Sequence, residues 1–202
     1  MTNPDLNNIS STMDLLHTRR SLVAVKMVAP GPSDNELRQI LAAGVRVPDH
    51  GRAEPWRIQV VSSEGRRKLI DVQTSIFQQE RQHEIEKKLD LLNQAIENVP
   101  TLLVITCHPN EEKFAKVPLI EQQLSGGALC QNILIAAHAL GYVAQWITGW
   151  PAYHRRIKAL LGYDEQVDIL GFIFIGSADA PIAERPRPEI DRIVSLWPEE
   201  KK

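Results

Sequence analysis

Gly44-Val45-Arg46-Val47-Pro48-Asp49-His50, followed shortly by Pro55-Trp56-Arg57, is the stretch around which the rest of the chain is arranged. It joins the end of an amphipathic helix to the start of a strand. It gathers two arginines, a histidine and a tryptophan into a turn that two prolines stiffen, a combination a surface linker has no need of. Taken singly, Trp56 reads as core packing and His50 as a structural hydrogen-bonder. Together with Arg46 and Arg57 they mark one wall of a binding site.

Working outward, Ser33-Asp34-Asn35-Glu36 is a capping box after the turn Pro30-Gly31-Pro32. Leu37, Ile40, Leu41, Gly44 and Val45 share one face at the 3.6 period, which predicts a helix ending before Pro48. Upstream, residues 1–10 read as a flexible tail, and residues 11–202 as a single domain. Ser11 or Thr12 caps a short helix with Leu15 and Leu16 inward. That helix delivers Arg19-Arg20-Ser21 at its C-terminal end. Two cations there suit the helix dipole, and equally a phosphate clamp, since a guanidinium offers a planar fork of donors to phosphate oxygens.

Downstream, residues 58–61 form a strand and Glu64-Gly65 a turn. Residues 66–98 read as one charged helix with an apolar stripe at Leu69, Ile70, Ile76, Ile85, Leu89, Leu92 and Ile96. His83-Glu84 lacks the second histidine of a zinc motif. Residues 102–106 are a strand, and residues 121–140 a nearly all-apolar, buried helix. Its Ser125-Gly126-Gly127-Ala128 allows close approach of a backbone or a flat ligand, and Gly141 stops it. Residues 142–148 and 167–175 are further strands, with a short helix from Pro151 to Gly162 between them. Ile190, Ile193, Val194 and Trp197 form an apolar tail after a finished core, placed to wrap onto a neighbouring subunit.

The totals narrow the function. The chain has 202 residues, 43% hydrophobic and 24% charged, with a net charge of -2. No basic block marks a nucleic-acid footprint. No apolar run reaches a membrane span, and the polar N-terminus lacks a signal-peptide core, so a cytoplasmic protein is expected. Cys107 and Cys130 make neither a disulfide framework nor a metal spacing. Dinucleotide, Walker and nucleophile-elbow motifs are absent. What remains is anion-binding material at element ends: Arg19, Arg20, Arg46, Arg52, Arg57, Arg185 and Arg187. A flat anionic cofactor that carries its own chemistry fits a protein with no visible acid–base set.

The order Arg19-Arg20-Ser21, then Ala43 through His50, then Pro55-Trp56-Arg57 resembles the nitroreductase family, particularly its small subfamily. Lys116-Val117-Pro118, Glu121-Gln122, Ser125, Gly127, Leu140-Gly141, Trp146, Gly171-Phe172 and Ile175-Gly176 continue the likeness across residues 13–178. The resemblance implies an α+β fold: a mostly antiparallel central sheet flanked by helices, with a domain-swapped C-terminal tail. It implies a homodimer binding FMN at the subunit interface, with NAD(P)H as electron donor and a small-molecule electron acceptor. Arg19, Arg20 and Ser21 would hold the FMN phosphate and ribityl chain from one subunit; Arg46 and His50 would approach from the other. Ala136, Ala137, His138, Ala139, Leu140 and Gly141 align with a nucleotide-contacting segment. Trp146, Ile147 and Thr148 would line the FMN, and Arg185 and Arg187 resemble a phosphate contact of longer members. This chain departs from the family in two places. Lys26 ends a loop where a further arginine is common, and Ile147 stands where a polar or basic residue is usual.

Three functions are compatible with these readings. The first is an FMN-dependent NAD(P)H reductase of nitroaromatics, quinones or similar acceptors. The second is a flavin enzyme reducing another acceptor, such as an enone or a halogenated aromatic. The third is a non-enzymatic dimeric phosphate-ligand-binding protein. On fold, alternation of strands and helices by itself favours a parallel α/β sheet, whereas the resemblance and the apolar tail favour α+β.

Overall fold

Ser33 begins a helix just as its capping box requires. Its hydroxyl accepts from the Glu36 amide at 3.4 Å, and the Glu36 carboxylate accepts from the Ser33 amide at 2.9 Å. The protein is described by a computed structural model covering residues 6–80, 86–113 and 115–197; Ile85 and the His83-Glu84 pair lie outside the described residues. The helices are α1 (Thr12–Thr18), α2 (Asp34–Gly44), α3 (Ser63–Glu80), α4 (Glu86–Asn98), α5 (Leu119–Ala139), α6 (Trp150–Tyr153) and α7 (Arg155–Leu160). The strands are β1 (Trp56–Val60), β2 (Thr101–Cys107), β3 (Val143–Ile147) and β4 (Asp168–Gly176).

The strands form one sheet in the order β1-β2-β4-β3, with every neighbouring pair antiparallel. The fold is therefore α+β, and the parallel arrangement drawn from alternation alone is overturned. Central β2 is buried at every residue. One face of the sheet packs on α2 and α5 through Ile40, Leu129 and Ile133. The other packs on α3, α4 and α7 through Leu69, Ile96 and Ile157.

Several local expectations change. The charged segment 66–98 holds two antiparallel helices in place of one: the α3 residue Gln73 bonds Asn93 of α4, and Arg66 caps the α4 end by donating to the carbonyls of Ile96, Val99 and Pro100. Glu64-Gly65 lies in the first turn of α3, not in a separate turn. Leu16 is 48% exposed and Val45 44% exposed, so neither faces the core. The helix after Pro151 is two short ones.

Small residues in α5 and β4 pack tightly. Between β2 and β4 the register slips at Leu170, a bulge, and the carbonyl freed from the ladder accepts from the Trp146 indole at 2.9 Å. A Cβ at Gly126 would overlap the Leu170 side chain, and one at Gly171 would overlap Trp146. Gly126 thus serves helix–sheet packing. Among the described residues no helix is long and apolar enough to cross a membrane.

Candidate functional site

α1 is capped by Ser11, whose hydroxyl accepts from the Asp14 amide. At its other end Asn7 and Asn8 hold the chain: the Asn7 amide donates to the Thr18 carbonyl, its side chain accepts from the Arg20 amide, and the Asn8 amide donates to the Thr18 hydroxyl. The half-buried Arg19-Arg20-Ser21 segment is therefore presented in a set conformation. Arg19 Nη1 donates to Ser21 Oγ at 3.3 Å.

The C-terminal segment returns to this place across the whole sequence. Arg20 Nε donates to the Ala183 carbonyl at 3.1 Å, and Arg187 Nη2 to the Arg19 carbonyl at 3.3 Å. Arg185 joins them closely enough that burial first, then Arg187, Arg20 and Arg185, pull the Arg19 pKa down. Like-charged groups held this way disfavour one another's charge, and a bound anion relieves them. Beside the cluster opens a cleft of about 530 Å³, lined by Arg20, Ser21, Val25, Lys26, Asp179 and Ile182 among others, within the usual range for small-molecule sites. Lys26, in place of the further arginine, borders this cleft. A phosphate with an attached organic body fits the donor set and the space.

β3 stands next to the arginine loop. Gln145 Oε1 accepts from the Ala24 amide at 2.6 Å, tying β3 to the arginine loop. Alternation along the strand sends neighbouring side chains to opposite faces. Trp146 packs with α2 and α5, whereas Ile147 packs with α3 and α4. Ile147 and Thr148 line a narrow apolar space with Leu69, Pro151 and Phe172. The two side chains Trp146 and Ile147 are therefore not brought to one surface.

The segment from Ala136 to Gly141 divides. Ala137 and His138 are sealed inside, while Ala139, Leu140 and Gly141 are exposed. His138 is 1% exposed and sits between two carbonyls, Nδ1 at 2.6 Å from that of Leu134 and Nε2 at 3.2 Å from that of Arg20. Sealed in this way, its side chain braces the arginine loop from inside and offers a nucleotide no contact. Burial is the chief cause holding its pKa below the ordinary 6.5.

The opening turn is pinned along α5, from Glu121 near its start to Asn132 beyond its middle. His50 Nδ1 donates to Glu121 at 2.5 Å, Ser125 Oγ donates to the Pro48 carbonyl at 2.7 Å, and Asn132 Nδ2 donates to the Arg46 carbonyl at 3.0 Å. Trp56 Nε1 donates to Ser125 Oγ at 3.0 Å. Gly51, Arg52 and Glu54 all have positive φ, of 62°, 51° and 47°. Such strain persists only where its surroundings over-determine it, and it concentrates at functional sites. Arg46 and His50 are exposed, and His50 borders an open apolar hollow formed by Pro48, Leu124 and Ala128. Arg52 and Arg57 are also exposed, and Arg57 donates to the backbone of its own turn.

His50 stands apart from the arginine cluster in one chain. Glu121 and His138 occupy opposite ends of the 21-residue α5, about 25 Å apart at the helical rise. Sequence reasoning missed Gln145 and Glu184 at the arginine cluster. Neither carries a motif; only the return of distant strands and tail reveals them.

Comparison with known proteins bears on the family and the fold. Residues 28–177 match the profile described as the Nitroreductase family. The "Putative NAD(P)H nitroreductase YdjA" of Escherichia coli (strain K12) is 32% identical over 167 residues, covering 82% of this chain and 87% of that protein. The crystal structure of a nitroreductase-like family protein from Bacillus cereus superposes with TM-score 0.78 at 21% identity, covering 94% of this chain and 97% of that one. A mutant form of the FMN and NADPH-dependent nitroreductase NfnB, from a strain given as sphigopyxis sp. HMH, superposes with TM-score 0.74 at 18% identity, covering 93% and 99%. With the profile spanning most of the chain and a relative near one-third identical, this protein belongs to the nitroreductase family.

Proposed function

We propose that the protein is an FMN-dependent NAD(P)H oxidoreductase that works as a homodimer and reduces nitroaromatic, quinone or similar electron-poor acceptors. The observation that carries this reading is the convergence of Arg19, Arg20, Arg185 and Arg187 beside a cleft of mononucleotide size. Family relatives named for FMN and NAD(P)H use support the choice of ligand.

Bound there, FMN supplies the two-electron chemistry, with nicotinamide donor and acceptor taking turns at one exposed face in ping-pong order. The protein's part is positioning. Arg19, Arg20, Arg185 and Arg187 seat the phosphate, and Ser21 adds a hydroxyl donor. Backbone along residues 146–148 borders the ring system. Arg46 and His50 are assigned to the partner's cofactor, because within its own chain His50 is held on Glu121 at the far end of α5. Glu121 takes the Nδ1 proton of His50 as a hydrogen bond, so Nε2 is the pole left to face a ligand atom. Ala139, Leu140 and Gly141 are the exposed residues at which the nicotinamide nucleotide can lie.

Exposed apolar residues fit the dimer. Met13 and Leu16 on α1, Ile120 and Leu124 on α5, and Ile193, Leu196 and Trp197 of the tail are all more than half or nearly half exposed. A second copy laid on these positions covers them and brings Arg46 and His50 of one chain to the arginines of the other.

The test is Arg20→Ala. One charge-assisted contact to phosphate is worth about 1.5–3 kcal/mol, so FMN affinity falls on the order of tenfold to a hundredfold. Riboflavin, which lacks the phosphate, binds wild type and variant alike. A purified wild-type protein that is colourless and takes up no added FMN overturns the flavin reading and leaves a dimeric phosphate-ligand-binding protein.

A further inference from the structure

We propose that Glu184 is a specificity-determining residue of the anion seat: its carboxylate occupies the position among the arginines that an incoming phosphate must take. The inference rests on the reading of that seat as the FMN phosphate site, and extends it to how the seat selects its ligand.

Glu184 Oε1 accepts from Arg187 Nη2 at 3.1 Å and from the Arg185 amide at 2.8 Å, and it lies 3.8 Å from Arg20 Nε. Among the described residues it is the one carboxylate of the charged groups that act on Arg19, where it opposes Arg187, Arg20 and Arg185. The Arg185 amide, followed by Arg187 and Arg20, holds its own pKa below the usual carboxylate value. Glu184 is therefore an internal counter-ion, anionic whenever the seat is in use.

The same segment closes the cleft. Asp179, Ala180, Pro181, Ile182 and Ala183 form one side of it, and Arg20, Ser21 and Lys26 lie opposite. Ile182 is the member of this strap that packs on the apolar core. Guanidinium groups make further ties from strap to body: Arg20 to the Ala183 carbonyl and to Glu184, and Arg187 to the Arg19 carbonyl. These are the donors a phosphate needs. An anion entering the seat meets a carboxylate holding Arg187 and backbone oxygens holding Arg20. It must displace the first and re-aim the second, which loosens the strap.

Selectivity follows from charge. A ligand with a single, diffuse negative charge gains little over the carboxylate already present. A phosphomonoester close to two negative charges near neutral pH displaces it. An uncharged isoalloxazine compound feels no competition and gains nothing from the seat.

The experiment compares wild type with Glu184→Gln, which keeps the size and one acceptor oxygen but removes the charge. Binding of FMN and of riboflavin is titrated by flavin fluorescence, and stabilisation of the flavin-free protein by inorganic phosphate is read as a Tm shift. Loss of one like charge near the phosphate is expected to tighten FMN binding about three- to tenfold, the scale of a partly solvated pair. Riboflavin affinity stays unchanged, and the phosphate-dependent Tm shift grows. Glu184→Ala, which also removes the charge, is expected to tighten FMN binding in the same direction and serves where the glutamine variant is poorly folded. A merely structural Glu184 gives the opposite sign: both variants would bind FMN more weakly as the strap loosens, and that result overturns the proposal. So does equal FMN affinity in wild type and E184Q. If FMN binds neither protein while E184Q gains the larger phosphate shift, the flavin reading fails and the role of Glu184 stands. If phosphate shifts both equally as well, the role of Glu184 falls too.

Discussion

His138 faces two carbonyl oxygens, and a neutral imidazole carries a single N–H. Nδ1 lies 2.6 Å from the Leu134 carbonyl and Nε2 3.2 Å from the Arg20 carbonyl, so a neutral ring donates to one of them at a time. A second proton would satisfy both. Burial opposes it, with the Arg19 charge adding to the penalty, and the pKa is held below 6.5. The sign of the pH effect follows: below about pH 6.5 the unfolded chain takes the proton first, so stability conferred by neutral His138 is present above that pH and is lost as pH falls toward the lowered folded value. Wild-type Tm is expected to drop as pH is lowered from roughly 7.5 to 5.5. His138→Gln should flatten that slope while FMN binding at neutral pH weakens modestly, because the loop carrying Arg20 loses its brace. An identical slope in the variant would show that other groups set the pH dependence.

Among the elements, α5 decides where the chemistry can occur. Glu121, Ser125 and Asn132 recur along one flank and each takes a hydrogen bond from, or gives one to, the turn that carries Arg46 and His50. Ser125 is the central tie, since it also accepts from Trp56. Ser125→Ala leaves a half-buried indole N–H and the Pro48 carbonyl unpartnered, a cost of about 1–3 kcal/mol. Differential scanning calorimetry should show a lower Tm, on the order of 2–4 °C per kcal/mol for a chain of this size. FMN affinity should fall alongside as Arg46 and His50 lose their fixed placement. Unchanged stability would mean the turn is held by its own backbone.

At the scale of the whole molecule, the proposed site is divided within a single chain, with the arginine seat near one end of α5 and His50 at the other, and a second copy would complete it. The exposed apolar side chains at Ile120, Leu124 and Trp197, the last 89% exposed, need covering. Sedimentation is expected to give about twice the 22.7 kDa chain mass. Leu124→Asp places a charge in the covered face. The expected product is a folded monomer by circular dichroism that no longer retains FMN. A wild-type monomer that keeps its flavin would contradict the shared-site arrangement.

Much of this was legible from local chemistry. The Ser33–Glu36 capping box, the apolar run of α5, the Gly141 stop and the stiffened turn at residues 46–56 depend on neighbours in sequence, and the structure contains each of them. The strand direction was not legible, and the reason lies in residues 66–98. Read as one helix, they carry the chain back to start a parallel strand; as the antiparallel pair α3 and α4, they return it to the end it left, so β2 runs against β1. Periodicity counts faces and cannot see that reversal. The arginine set divides in the same way: residue type and position at element ends marked Arg19, Arg20, Arg46, Arg52, Arg57, Arg185 and Arg187 alike as anion-binding material. That Arg19, Arg20, Arg185 and Arg187 meet at one seat, with Glu184 among them and His50 left at the far end of α5, was decided by tertiary folding, because proximity across more than 160 residues is a property of the packed chain and not of any local pattern.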